Sequence, residues 1–474
     1  MLIRFSFKNF RSVGADPVTL DMVSTAKIRS FKKHICASSQ GAHVLRDAVI
    51  YGGNASGKST VFTALLFMRA VVLNGAVPQG AQVEYCKCGT GLKDQESVFD
   101  LQFQIDGHVY DYGFSCNLSE LNVLSEWLYR LEGEPTLLFE RHGSQRVDCF
   151  GLEQGLTESD QMRLEVYRDD FIHRVCEGIG SELFLSALAN GRSYSEGSSL
   201  FSLSEVFSWF GSHFDAIGAG QAPTSSDFYG HGADLDKVAD VLASFDTGIS
   251  GLHKQEIGMD ELDKYIPAET LFAIKKIVRD NVPSGTDAES TITFRSDDVF
   301  LSIETKGTSE PHATILKLHH EGSVLDFDFR EESDGTKRLF DFMDILFTSS
   351  KDKLFLVDEL SRSFHPMLTR QLISLFNRVH EDDDCQLVFT THENAIMSFD
   401  YFRRDEIWFV ERDENGYSRL YPLDKFATDG ARSDARVNKQ YLEGRYGGIP
   451  VLSTAKALDA LGLKGEEDAS AQLA

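Results

Sequence analysis

Cysteine is scarce in this chain of 474 residues, and the seven present are odd in number and widely spread. That excludes a disulfide framework and makes a reducing cytoplasm the expected compartment. The closest pair, Cys86-Lys87-Cys88, lacks a second pair at zinc-ligand spacing, so it reads as ordinary thiols. Long apolar runs are missing too. No window approaches the roughly 18 uninterrupted apolar residues of a membrane span, and the opening MLIRFSFKNFRSV never builds a signal-peptide core. Positive charge is in short supply, with 47 Lys and Arg against 73 Asp and Glu for a net charge of −26. Such a surface repels phosphate backbones and anionic membranes, so any contact with DNA is confined to a local patch. Sustained heptads and internal repeats are absent as well, which excludes a coiled-coil arm. At 42% hydrophobic and 25% charged residues the composition is that of a folded globular chain rather than a disordered one.

What is present is ordered along the chain. Leu2 to Phe10, Val18 to Val23 and Val44 to Tyr51 read as strands, and residues 59–73 carry apolar side chains at helical spacing without a breaker. Between 97 and 150 short alternating runs are separated by Asp106-Gly107, Gly133 and Gly143, which are hairpin signals. From about 157 to 280 the period becomes helical, residues 290–330 return to strand alternation, and from 335 helix and strand alternate as in a parallel sheet. The expected organisation is an α/β fold with an N-terminal lobe over 1–156, a helical insertion over 157–289, a C-terminal lobe over 290–463 and a frayed tail over 464–474.

Four segments carry chemistry. Gly52-Gly53-Asn54-Ala55-Ser56-Gly57-Lys58-Ser59 fits G-x-x-x-x-G-K-[ST] between a strand and a helix, the setting a phosphate-binding loop requires. Its glycines allow backbone amides to turn around phosphates at a helix N-terminus, Lys58 adds a point charge, and the Ser59 hydroxyl is a ligand for Mg²⁺. Three hundred residues later the apolar run Lys353 to Val357 ends in Asp358-Glu359. Phosphoryl transfer to water needs one carboxylate near the metal and a second group to polarise the nucleophile, so Asp358 is assigned to Mg²⁺ and Glu359 to the water. A further apolar strand, Cys385 to Phe389, ends in Thr390-Thr391-His392, and a helix over 366–381 separates it from the acidic strand. The two strands are therefore expected to be neighbours, with His392 placed to hydrogen-bond a γ-phosphate. Glu332-Ser333-Asp334-Gly335-Thr336 opens another helix; alone it is as well explained by N-cap chemistry as by function. Glu381-Asp382-Asp383-Asp384 reads as a solvated connection, Phe340 and Phe342 as core, and His365-Pro366 as a helix start.

In that order, with LIRFSFKNFRSV, ELFLSALAN (182–190), RRDEIWFVERDENGYSRLYPL and YLEGRYGGIPVL around them, the chain resembles the ABC-type ATPase heads of the structural-maintenance-of-chromosomes, RecF and overcoming-lysogenisation-defect group. Within it, the chain looks most like the AAA-family ATPases of bacterial abortive-infection and anti-phage systems. The resemblance implies ATP and Mg²⁺ as ligands, held by Asn54, Ala55, Ser56, Gly57, Lys58, Ser59 and Thr60. It implies that Ser333, Gly335 and Thr336 complete the site of an opposite subunit in a head-to-tail homodimer, with Ser361-Arg362-Ser363 at the dimer contact. Asn9 to Ser12 match a segment near the nucleotide, where Arg11 either approaches adenine or phosphate or is a solvated turn residue. Only 22 residues follow the last matching motif, too few for the Toprim nuclease of some relatives. A separate effector protein, nuclease or toxin, is therefore the expected partner, with a DNA-clamping maintenance ATPase of RecF type as the alternative.

Overall fold

The structure is a computed structural model and describes residues 1–25, 28, 30–37, 41–143, 146–154, 156–176, 181–219, 234–281, 289–296, 298–306, 311–348, 351–426, 437–449 and 453–461. The tail expected over 464–474 lies outside them. In chain order the elements are β1 (Leu2–Lys8), β2 (Val18–Asp21), β3 (Ile35–Ala37), β4 (His43–Leu45), β5 (Asp47–Gly52) and α1 (Lys58–Asn74). Then come β6 (Ser97–Ile105), β7 (His108–Asn117), β8 (Asn122–Arg130), β9 (Thr136–His142), β10 (Arg146–Asp148), α2 (Glu158–Cys176), α3 (Phe184–Ala189), α4 (Phe201–Ser212) and β11 (Phe214–Ile217). α5 (Leu235–Ser244), β12 (Ile249–Ile257), α6 (Ala268–Asn281), β13 (Glu289–Arg295), β14 (Phe300–Lys306), β15 (His312–His320) and β16 (Phe327–Asp328) follow. The chain continues with α7 (Asp334–Phe347), β17 (Leu354–Val357), α8 (Pro366–Val379), β18 (Gln386–Thr390), β19 (Ile407–Arg412), β20 (Ser418–Pro422), α9 (Val437–Leu442) and α10 (Thr454–Ala460).

The central sheet has the order β11-β17-β18-β5-β19-β20 and is parallel except for its β19–β20 edge. Because both faces are covered, its strands are apolar on both sides and alternate between two cores. Ala48, Ile50, Leu354, Leu356, Val388 and Val410 join α1, α3, α4 and the antiparallel sheet on one side. Val49, Tyr51, Phe355, Val357, Leu387, Phe389 and Phe409 join α5, α7 and α8 on the other. The antiparallel sheet, β10-β9-β8-β7-β6-β1-β2, bears out the hairpins: Asp106 and Gly107 both take positive φ (49° and 87°) between paired Ile105 and His108, the conformation a two-residue hairpin turn demands. The expected α/β class, a parallel core sheet beside an antiparallel β sheet, is the one observed.

Local chemistry sets the helix ends. α1 stops at Gly75, whose φ of 77° suits a glycine and whose amide bonds Val72 O. α8 starts at His365-Pro366 as expected, with His365 Nδ1 accepting from the Met367 amide, and Phe340 and Phe342 are buried on α7.

Three expectations are corrected. Val44 to Tyr51 is two strands, β4 and β5, divided at Arg46, whose guanidinium is drawn onto the carbonyls of Lys33, Glu381, Asp383 and Cys385. The stretch from 157 to 280 is not helical throughout. β11 lies within it as an edge strand of the central sheet, pairing with β17, and β12 pairs along β15 in a second sheet with β13, β14 and β16. Four consecutive buried residues are too short to display a strand period, which hides β11 in the sequence. The acidic run 381–384 is only partly solvated: Asp383 binds the His380 imidazole and the Cys385 amide.

Candidate functional site

The loop from Gly52 to Ser59 joins β5 to α1 at the C-terminal edge of the parallel sheet, where open α/β sheets bind ligands. Ala55 and Gly57 take φ of 59° and 110° on either side of Ser56, an arrangement that turns successive amides inward into an anion-binding concavity. No side chain caps α1 at Gly57, so its first-turn amides face the same space. Neighbouring strands hold the loop closed. A Cβ on Gly52 would stand 2.4 Å from Val410 O, and one on Gly57 would stand 2.1 Å from Ser418 Oγ. The buried hydroxyl of Ser56 finds no hydrogen-bond partner. Small size, inward amides and an orphan hydroxyl together make a cradle that fits a polyphosphate.

Lys58 is buried at the base of this cradle, donating to Gly52 O at 2.9 Å and Gly53 O at 3.0 Å. Burial lowers its pKa to about 8, against the opposing pull of Asp358 and Glu359. Ser59 Oγ donates to Asp358 Oδ1 at 3.2 Å, which puts the two expected Mg²⁺ ligands side by side. Their donor set, a hydroxyl and a carboxylate, is the oxygen chemistry Mg²⁺ takes. β18 lies parallel to β17, as the sequence predicts. His392 consequently reaches the cradle, with Nδ1 3.4 Å from Lys58 Nζ. Burial, and then the charge of Lys58, lower the pKa of that histidine.

A cavity of about 670 Å³ gathers these parts, with Asn54 to Thr60, Arg11, Glu359 and His392 in its wall. Asp358 is not in the wall itself and meets it through its bond to Ser59. Arg11 stands in a turn and is exposed at the cavity wall, with its guanidinium donating to Glu84 at 2.5 Å and Thr63 at 3.0 Å. Ser333, Gly335 and Thr336 are not in the wall. Ser333 caps α7 by accepting from the Thr336 amide at 3.1 Å, and Gly335 is packed so closely on the Ser363 carbonyl that a Cβ would stand 2.9 Å from it.

Several participants carry no sequence signal of their own. Arg412 at the end of β19, and Lys87 and Cys88 from the loop after α1, line the cavity. With Arg11 and Lys58 they supply four cations around one space, so the site is locally positive in a chain of net charge −26. Ser418 bonds Ser12 Oγ at 2.8 Å and Ser56 O at 2.6 Å, tying the edge strand to both loops. Arg412 follows an apolar strand adjacent to β5, a position readable only once the strand order is known.

A family model described as "AAA domain, putative AbiEii toxin, Type IV TA system" matches residues 48–141 and 262–398. Over these two stretches the chain is similar to an AAA domain of that description. The two matched stretches contain the phosphate loop, the Ser333 segment, Asp358-Glu359 and His392, whereas Arg11, Ser12 and Arg412 of the cavity wall lie outside them. No curated protein matches the chain. Among solved structures it is similar to an SmcHead bound to the C-winged helix domain of ScpA, at 12% identity and a TM-score of 0.42 over 90% of this chain and 99% of that one. It is also similar to the SMC head domain from Thermotoga maritima, at 13% identity and a TM-score of 0.32 over 89% and 98%.

Proposed function

We propose that the AAA domain binds ATP with Mg²⁺ and hydrolyses it, and that the protein is the cytoplasmic sensor or scaffold of an anti-phage, abortive-infection system, controlling a separate effector. One observation carries the ATPase reading: the phosphate loop, the Asp358-Glu359 turn and His392, from three different strands, converge on one cavity. Within it the loop amides and Lys58 hold the β- and γ-phosphates, and Ser59 and Asp358 hold the metal, which neutralises charge developing on the phosphates. Glu359 orients and polarises the attacking water, and His392 hydrogen-bonds the γ-phosphate and registers its departure. Arg11 faces the nucleotide from a guanidinium fixed by Glu84 and Thr63.

That Ser333, Gly335 and Thr336 lie outside the cavity of their own chain supports a homodimer in which they close the partner's site. Residues 1–156 and 290–463 then make two ATPase lobes around an insertion, 157–289, that lends β11 to the shared sheet. The defence context is supported by the family description, which names an AbiEii toxin and a type IV toxin–antitoxin system.

Phosphate release from ATP tests the enzyme, and co-purification with the product of the adjacent gene tests the scaffold. Turnover together with an ATP-dependent complex is expected. No hydrolysis by the wild type leaves a nucleotide-regulated binding module, and failure to co-elute with or without ATP ends the scaffold reading. A gel shift on DNA that needs ATP and weakens steeply with salt points to the DNA clamp instead.

A further inference from the structure

Three buried side chains meet at the start of the central sheet, at the opposite end of β5 from the phosphate loop. Asp47 opens β5, Glu406 immediately precedes its parallel neighbour β19, and His34 ends a 3₁₀ turn over Lys32–His34. His34 Nδ1 stands 3.0 Å from Glu406 Oε1 and 3.5 Å from Asp47 Oδ2, and one donor atom from each residue lies within 4.8 Å of the others. The two carboxylates are fully buried, and the His34 side chain is 9% exposed.

Two carboxylates packed together out of water are balanced either by positive charge or by taking up a proton, and one imidazole balances at most one of them. Glu406 Oε2 accepts the Arg403 amide at 2.7 Å, and the charges of Arg46 and Arg403 are felt at the pair, but neither guanidinium is hydrogen-bonded to Asp47 or Glu406. Arg46 is spread over four backbone carbonyls, and Arg403 forks onto Asp405 and donates to Ser30 O.

An unused ligand atom marks the same place. Asp47 Oδ1 is buried without a hydrogen-bond partner, while Oδ2 accepts from Asn377 Nδ2 at 2.6 Å. The Asn377 Oδ1 atom is likewise buried and unpartnered. A cavity of about 500 Å³ has His34 and Asn377 in its wall, giving a way in and room for water ligands. The spacing fits an ion: with bonds of roughly 2.0–2.1 Å, neighbouring ligands of a tetrahedral zinc stand about 3.3 Å apart.

We propose that His34, Asp47 and Glu406 form a structural site for a first-row divalent cation, with zinc the ion best matched to one imidazole and two carboxylates and with Asn377 Oδ1 or water in the fourth position. Such an ion pins the N-terminal turn to the starts of β5 and β19, the two strands whose other ends carry the phosphate loop and Arg412.

The test uses the full chain, stripped with a chelator and titrated with ZnCl₂ by calorimetry, with Co²⁺ as a spectroscopic probe. One zinc per chain is expected, taken up with or without ATP and raising the Tm. Asp47→Asn and His34→Gln should each weaken uptake by about 100-fold or more, while Cys385→Ser, in the other buried cluster of ligand type (His380, Asp383 and Cys385), leaves it unchanged. Failure of the stripped wild type to take up stoichiometric zinc overturns the proposal, as does wild-type affinity in both variants. If the variants do not fold, the Co²⁺ spectrum of the wild type decides. Visible bands without a thiolate charge-transfer band support the site, and a thiolate band refutes it.

Discussion

The hydroxyl of Thr390 donates to Asp358 Oδ1 at 2.6 Å. Thr390 Oγ1 in turn accepts from the amide of Glu359 at 2.8 Å, so one side chain at the end of β18 fixes both acidic residues at the end of β17. Thr390→Val keeps the shape and removes both bonds. It should raise the Mg²⁺ concentration needed for half-maximal turnover by about 10–100-fold and lower stability by about 1–3 kcal/mol, with Thr390→Ser restoring most of each. A Mg²⁺ titration of ATPase rate beside a urea melt checks this, and an unchanged Mg²⁺ requirement in the valine variant contradicts the positioning role.

Glu359 sits at φ 52°, in the left-handed region, where a residue with a Cβ carries strain of about 1–2 kcal/mol. Strain retained at a cavity wall suggests that the carboxylate's position matters more than its comfort. Glu359→Gln should cut phosphate release by about 10²–10⁴-fold without loss of ATP affinity, measured by filter binding. Glu359→Gly should abolish turnover while stabilising the fold by about 1 kcal/mol, a gain that denaturation reads directly. A glycine variant less stable than the wild type refutes the strain argument.

Gly57 is boxed in by the edge strand. A Cβ there would meet Ser418 Oγ at 2.1 Å and Ser12 Oγ at 2.8 Å, on a backbone with φ of 110°. Gly57→Ala should destabilise the chain by about 2–3 kcal/mol and abolish ATP binding. Adding Ser418→Ala relieves only the nearest contact, since the backbone conformation and the Ser418 Cβ at 2.9 Å remain. Partial recovery of the Tm without recovery of binding is the expected pattern.

Local pattern made the centre of this site legible and distance hid its rim. The strand, glycine loop and helix around Lys58 are contiguous, and Asp358 and His392 each end an apolar run, so periodicity alone places them at strand ends. One intervening helix was enough to make β17 and β18 neighbours. Arg412 owes its role to β19, brought beside β5 from more than 350 residues away, and Ser418 to β20, the edge strand next to β19; nothing in their own surroundings announces that. β11 fails for the opposite reason: it is too short for its period to show. The signature segment was read by its order in the chain, and its serine also serves as an ordinary helix cap.

Lys58 gives pH curves of opposite sign for folding and for binding. Burial holds its folded pKa at about 8 against an ordinary 10.5. Between those values the unfolded chain binds more protons than the folded one, so this group makes the nucleotide-free protein more stable as pH rises from about 8. Phosphate favours the ammonium form, so binding above pH 8 must return a proton to Lys58 and affinity must fall as pH rises through that value. Lys58→Met removes both contributions. The wild-type-minus-variant difference in denaturation free energy should therefore climb with pH above about 8. Calorimetry of ATP binding in buffers of different ionisation enthalpy should show proton uptake by the wild type at the same pH. Proton release on binding, or affinity independent of pH between 7 and 9.5, would mean that Lys58 is already charged in the free site and that the loop carbonyls of Gly52 and Gly53 offset its burial.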